Sequence, residues 1–320
     1  MKPALLISLL TIGAVFGQQR PAPPFVVPDD VTTRKVDIMS EGTRMSGEVF
    51  CSKALSGKRL PTIIMSHGWG GTVAGLRRDA SEFAQAGYLV LAFDYRGWGA
   101  SDSRVVLVDR APMDAGNHRF KAEVQAVREV VDPLDMSADI LNAIHWVVGD
   151  PQCDTHRIGL WGSSFSGGLV VYAAEHDPRV KALHSQVPAL DGRWVVSTAE
   201  NRALTYEEST RRARGEIGYP APREKVIGNL IGAPIRSRFV AYYPVEEVDK
   251  APQCAMQFLV AEKEELFDNK EQGIAAYQRA KGPKNLVTIP GITHYGIYYE
   301  AREQAHRLAQ DWFDKNLKAR

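Results

Sequence analysis

The sequence predicts an α/β fold built around a mostly parallel β-sheet, and three observations lead there. From Thr62 onward, short apolar runs bounded by Gly, Pro or Asp alternate with segments of helical period. These runs are apolar throughout rather than alternating, which suits strands buried on both faces. Each residue with evident chemistry also stands just after one of the runs, where open parallel sheets place their active sites. A chain of 320 residues with 44% apolar and 24% charged content has the material for a full core.

The elements follow in order. Residues 34–39 and 45–50 read as two strands joined through Glu41-Gly42, a hairpin-like entry. The apolar runs are 62–66, 89–94, 158–161, 180–186, 256–261 and 285–289, and helical segments are expected at 77–86, 137–148, 165–176, 269–281 and about 299–317. In the second helix Met136, Ile140, Leu141, Ile144, Val147 and Val148 share one face, with Ser137 as the expected N-cap and Asp150-Pro151 as the stop. The stretch 191–250 breaks the alternation. It has no convincing core strand, carries Arg211, Arg212 and Arg214 close together, and is punctuated by Pro220, Pro222 and Pro234. It is too long for a structureless loop in a compact domain, so it reads as a small, partly helical cap inserted into the main domain, its arginines on a solvated helix face.

The N-terminus reads differently. Lys2, an apolar run over 3–16 and Gly17 have the form of a secretory signal peptide, with Val15 and Gly17 in the small-residue positions and Gln18 as the mature start. The alternative is an N-terminal helix of the folded domain, which the Pro-rich Arg20-Pro21-Ala22-Pro23-Pro24 opposes. The expected division is therefore a signal at 1–17, an extended leader at 18–33 and a main domain at 34–320. The destination is periplasmic or extracellular, and no Asn-x-Ser/Thr acceptor occurs, which favours a bacterial exported protein. Cys51, Cys153 and Cys254 are an odd set. Cys153 and Cys254 stand ahead of strands in Asp-Pro-Gln-Cys and Ala-Pro-Gln-Cys, which leaves a bridge at one end of the sheet open.

Several functions are excluded. With 39 Lys+Arg against 38 Asp+Glu there is no basic footprint for nucleic acid. Beyond the N-terminus no apolar run is long enough to span a bilayer, so no membrane partner is expected after signal removal. The sequence has neither His-Glu-x-x-His nor Cys-x-x-Cys, its glycines after His67 lack the Lys-Ser/Thr of a phosphate loop, and no Gly-x-Gly-x-x-Gly opens a helix. Neither a metal nor an organic cofactor is expected.

The strongest chemical signal is Ile158-Gly159-Leu160-Trp161-Gly162-Ser163-Ser164-Phe165-Ser166-Gly167-Gly168, which runs from an apolar strand through a Gly/Ser turn into an apolar helix. A serine on such a turn lifts its hydroxyl above the sheet, and small residues two places either side let helix and strand approach. Gly162 and Ser166 fill those places around Ser164, with Ser166 where Gly is usual; Ser163 and Ser166 are the alternative nucleophiles. The helix N-terminus beneath Ser164 aims N–H groups at a developing anion. The second signal is Ser66-His67-Gly68-Trp69-Gly70-Gly71, directly after a strand. Such a glycine-rich loop brings backbone close to substrate, so the N–H groups of Trp69 and Phe165 are the expected oxyanion donors. His67 precedes the serine and reads as a brace for the loop.

His67-Gly68, Asp94-Tyr95-Arg96-Gly97-Trp98-Gly99 and the serine turn, each after its own strand, together resemble the α/β-hydrolase superfamily, in particular its serine esterase and Xaa-Pro-peptidase-like branch related to dienelactone hydrolase. The resemblance covers roughly 34 to the C-terminus. It implies an eight-stranded sheet and the chain order Ser, acid, His. The acid of that pattern sits three residues past the small residue ending its strand, which here is Glu264, with Asp268, Glu262 and Glu265 as alternatives. His294, in Gly291-Ile292-Thr293-His294-Tyr295-Gly296, is the histidine after the acid and before the last helix. Of the others, His145 and His184 read as packing residues, and His118, His156, His176 and His306 as surface residues.

These roles imply an exported serine hydrolase that cleaves small carboxylic esters or lactones through Ser164, Glu264 and His294 by way of an acyl-enzyme. An Xaa-Pro or acyl-peptide type peptidase would use the same residues. A non-catalytic binding protein on the same fold would be marked by loss of one of them.

Overall fold

The computed structural model describes residues 25–111, 119–222, 225–227 and 230–318. The signal expected at 1–17, residues 18–24 of the leader and His118 lie outside them. The last residues assigned to the leader belong instead to the first strand, β1 (Val31–Ser40). It forms a hairpin with β2 (Thr43–Ser52) through Glu41 and Gly42, both at positive φ, as a two-residue turn of this kind requires.

Six further strands complete the sheet: β3 (Leu60–Ser66), β4 (Leu89–Phe93), β5 (Cys153–Ser163), β6 (Val180–Gln186), β7 (Ala255–Lys263) and β8 (Lys284–Thr293). Their spatial order is β1-β2-β4-β3-β5-β6-β7-β8. β2 pairs antiparallel with β1 and β4, and every pairing from β4 to β8 is parallel. This is the eight-stranded, mostly parallel sheet that the motifs implied.

Five helices flank it, α1 (Val73–Gln85), α2 (Pro133–Val148), α3 (Phe165–His176), α5 (Gly273–Arg279) and α6 (Arg302–Phe313), while α4 (Ala199–Ala213) belongs to the inserted stretch. The central strands are buried on both faces because an apolar core lies on each side of the sheet, whereas the edge strands β1 and β8 are largely unburied. Leu89, Leu91 and Phe93 of β4 pack with Ile140 and Ile144 of α2 and Leu169 of α3. Val90 and Ala92, from the same strand, pack with Leu76 and Phe83 of α1 and Trp312 and Phe313 of α6. A continuous apolar run is what such a strand needs, since neither of its faces meets water.

Some local expectations differ. α2 is capped by Asp132, which accepts from the N–H groups of Leu134 and Asp135, with Pro133 at the first helical position; Ser137 is buried one turn inside. An Asp ahead of a Pro is the stronger start signal, because the cap takes an orphan N–H and Pro has none to lose. His145 is exposed and faces an Arg179 nitrogen at 2.9 Å, while His306 is buried rather than on the surface. Cys51, Cys153 and Cys254 are all buried free thiols, so the bridge left open between Cys153 and Cys254 is not made.

The stretch 191–250 holds α4, a helical turn at Arg236–Phe239 and short strand pairs, none of which joins the main sheet. Arg211 and Arg212 lie in the last turn of α4 and Arg214 just past it, in ion pairs with Glu216 and Glu208. No helix among the described residues is long and apolar enough to cross a membrane.

Candidate active site

Every strand from β3 to β8 runs the same way, so their carboxyl ends meet at one edge of the sheet. Ser164 stands there, between the end of β5 and the start of α3, at φ 57° and ψ −122°. This is a conformation that a residue with a Cβ adopts only at a cost of about 1–3 kcal/mol. Its N–H donates to the Gln186 carbonyl at 2.9 Å and its carbonyl accepts from the Ala189 N–H at 3.1 Å, which hold the turn from both sides.

The turn also explains its small neighbours. A Cβ on Gly162 would lie 2.4 Å from the Ser166 carbonyl oxygen, and one on Gly168 would lie 1.9 Å from that of Ala189. Ser166, where Gly is usual, is fully buried, and its hydroxyl lies 2.5 Å from that of Ser66 at the end of β3. The departure is therefore a paired hydroxyl. Its loss would leave Ser66 short of a partner, at about 1–3 kcal/mol.

The loop after β3 crosses directly over the serine. A Cβ on Gly68 would come within 2.9 Å of the Ser163 carbonyl oxygen and 3.3 Å of the Ser164 Cβ. Trp69 follows, its indole N–H donating to the Gly232 carbonyl at 3.0 Å. Phe165 is the first residue of α3, so its N–H has no carbonyl one turn behind it. His67 is buried against Tyr95, with ring centroids 4.7 Å apart, and its Nδ1 faces the Gly68 carbonyl at 3.0 Å. Burial pushes its pKa down, which keeps the ring neutral.

The Asp94 motif serves this frame. Its carboxylate accepts from the N–H groups of Val73, at the start of α1, and Ala100. Gly99, at φ 48°, has no room for a Cβ, which would fall on that carboxylate. Arg96 reaches the other way to Asp135 and Asp139 on α2.

His294 follows β8. Its Nε2 lies 2.9 Å from Ser164 Oγ, and its Nδ1 lies 2.9 Å from each Glu264 oxygen. Both side chains of that pair are almost wholly out of solvent. The other acids divide the backbone between them. Glu265 accepts from the His294 N–H at 2.7 Å, Glu262 from the Gly291 N–H at 2.7 Å, and Asp268 from the Lys270 N–H at 2.8 Å. Of the four carboxylates the sequence left open, only Glu264 meets the imidazole ring.

Sequence reasoning missed Tyr298. Its hydroxyl lies 2.7 Å from Ser163 Oγ, which also accepts from Gln186 Nε2 at 2.9 Å. Desolvation pushes the phenol up to about 12, against the pull of hydrogen bonds to Ser163 and Ser164. The spacing from His294, four residues, was visible, but nothing local says that a helical turn folds the ring back over the serine. A second cluster stands nearby, where Asp79, Glu82 and His306 bring their ligand atoms together. The Arg302 guanidinium already donates to both carboxylates and Arg78 donates to Glu82, so two cationic side chains stand against the two acids.

A serine on a strained strand–helix turn, an imidazole on its hydroxyl and a mostly parallel eight-stranded sheet define a hydrolase of the α/β-hydrolase superfamily. Residues 41–221 match the X-Pro dipeptidyl-peptidase (S15 family) model, and the chain belongs to that family. Among curated relatives it is 29% identical over 290 residues to the Escherichia coli "Uncharacterized 31.7 kDa protein in traX-finO intergenic region", covering 80% of this chain and 91% of that protein. It is 26% identical over 309 residues to thiohydrolase aneE of Aspergillus aculeatus, covering 84% and 88%. Among solved structures, hypothetical protein PA2218 from Pseudomonas aeruginosa superposes with a TM-score of 0.75 at 21% identity, over 98% of this chain and all of that one.

Proposed function

We propose that this protein hydrolyses carboxylic esters, lactones among them, by a Ser164–His294–Glu264 triad through an acyl-enzyme. The reading rests on one observation above all: Ser164 Oγ, held above the sheet, lies 2.9 Å from an imidazole whose far nitrogen meets a buried carboxylate. As Ser164 Oγ bonds to the substrate carbonyl carbon, its proton passes to His294 Nε2, and Glu264 stabilises the imidazolium without taking the proton. The N–H groups of Trp69 and Phe165 bind the oxyanion, as preorganised donors that need no reorientation. The bond to the leaving oxygen then breaks and His294 returns the proton to it; water, activated in the same way, releases the acid. The stretch 191–250 acts as a cap over this centre, and removal of 1–17 on export would start the mature chain at Gln18.

The test is a panel of p-nitrophenyl esters beside aminoacyl-p-nitroanilides. Wild type should release p-nitrophenol, with Ser164→Ala and His294→Ala each at least about 10⁴-fold slower. Most activity surviving in purified, folded Ser164→Ala would end the proposal. A peptidase reading is favoured by the family match and would appear as faster anilide cleavage by the same residues.

A further inference from the structure

Two cavities meet at Ser164, both lined mainly by apolar surface, one with a polar, charged far end and the other walled by aromatic rings. One, of about 420 Å³, is bordered by His294 and Tyr298 and reaches past Gly75 to Arg78, Arg302 and His306. The other, of about 430 Å³, is bordered by Phe165, Trp194, Phe239 and Tyr242, with Asp268 and Glu271 at its edge. Each is within the range of small-molecule sites, which runs from roughly 300 to 1,000 Å³. Ser164, Trp69, Leu230 and Leu266 border both, so the serine stands at the junction.

We infer that the acyl group of the substrate occupies the aromatic cavity and the alcohol the polar one. The inference rests on the serine-hydrolase reading above and follows from where the proton must go. His294 Nε2 has to return the Ser164 proton to the leaving oxygen, so the leaving group lies on the imidazole side. His294 borders the polar cavity and not the aromatic one. The carbonyl carbon bonded to Ser164 then points its acyl substituent the other way, beside Phe165.

That cavity names a substrate class. Phe239 is ringed by Phe165, Trp69 and Trp194, with centroids 5.7, 5.9 and 5.8 Å away, and the Phe165–Phe239 pair is stacked. Offset and edge-on aromatic walls of this kind favour a flat or bulky apolar guest. Among the described residues, the carboxylates that border it are Asp191, Asp268 and Glu271, and no Lys or Arg borders it. An acyl group bearing its own carboxylate is repelled there. The structure assigns esters of neutral aromatic or bulky hydrophobic acids. Their alcohols can be large and polar, because Arg78, Asp79, Arg302 and His306 line that end.

Two series of esters separate the arms. In p-nitrophenyl esters of one alcohol, benzoate and 2-naphthoate should exceed acetate and hydrogen succinate by at least about tenfold in kcat/KM. In benzoates of methyl, benzyl and naphthylmethyl alcohols, Gly75→Leu should penalise the larger alcohols about tenfold relative to methyl. Gly75 borders that cavity and a Cβ there meets nothing within 4 Å, so the first atom of a new side chain is unobstructed. Trp194→Ala should reset the acyl ranking and leave the alcohol ranking unchanged, with Trp194→Phe, which keeps a ring, close to wild type. Acetate preferred to benzoate, rankings that respond to the opposite variants, or rankings that neither variant alters would each overturn the assignment while leaving ester hydrolysis intact. A folded wild type that cleaves none of these esters overturns the hydrolase reading along with it.

Discussion

Glu264 illustrates how a residue's role depends on its partner more than on its type. Four acids stand between 262 and 268 and all four accept backbone N–H groups, but only Glu264 also meets the imidazole, with both oxygens 2.9 Å from His294 Nδ1. Glu264→Gln keeps the shape and removes the charge, so it should lower kcat about 10⁴-fold through loss of tautomer control, measured on p-nitrophenyl benzoate. Ser164 and His294 were legible from the sequence because each sits in a motif whose neighbours are dictated by backbone geometry. For the acid, the family resemblance pointed to Glu264 while Asp268, Glu262 and Glu265 stayed open as alternatives, since any of them can leave the loop in the right direction. Tyr298 was not legible at all. The Tyr298 hydroxyl stands between those of Ser163 and Ser164 and is within hydrogen-bonding reach of both. Tyr298→Phe should therefore cost about tenfold in kcat, the worth of one hydrogen bond, with KM little changed in steady-state assays.

Helix α3 joins the reaction centre to the interior of the protein. Its first turn carries Phe165 and the buried Ser166, and its close approach to neighbouring backbone leaves no space for a side chain at Gly168. Its last turn carries Glu175, whose two buried oxygens have no hydrogen-bond partner among the described residues. Burial, and then the neighbouring Glu247, push its pKa up to about 9, although Lys250 acts against them. A carboxyl held protonated in the folded state but ionised in the unfolded one means that the folded protein binds more protons. Stability is then fully present below the ordinary carboxylate pKa and is lost as pH rises toward 9. Glu175→Gln removes this dependence. Its stability in urea should match the wild type near pH 5 and exceed it progressively up to pH 9, by up to about 1.4 kcal/mol per pH unit. Equal pH profiles for the two proteins would show that Glu175 is ionised in the fold. The helix starts that the sequence misplaced have a local cause too. In α2 the expected cap was Ser137, and Asp132 takes its place because Pro133 after it has a φ that is already helical and no N–H to satisfy.

In the whole molecule, the main sheet and the inserted stretch divide the work. The sheet brings Ser164, Glu264 and His294 to one edge, and residues 191–250 supply Trp194, Phe239 and Tyr242 to the aromatic cavity. Arg238 ties that stretch to the main domain, donating to both Asp132 oxygens at 3.0–3.1 Å. All three cysteines lie within the packed interior, so native protein should react with no equivalent of Ellman's reagent, and protein unfolded without reductant with three. A count of one on unfolding would reveal a bridge and a different packing at the amino end of the sheet. The order of strands and helices, the two-faced burial of the central strands and the place of Ser164 on the turn between strand and helix were all determined by the sequence alone. Apolar runs, helical period and small residues at a tight turn are local consequences of backbone sterics and of the loss of water from both faces. Only the tertiary structure decided which carboxylate meets His294, that His306 is buried, that Ser166 pairs with Ser66, and that Tyr298 lies over the serine. Each of those depends on the direction in which two distant segments leave the sheet, and no short stretch of chain encodes an angle between elements that touch only after folding.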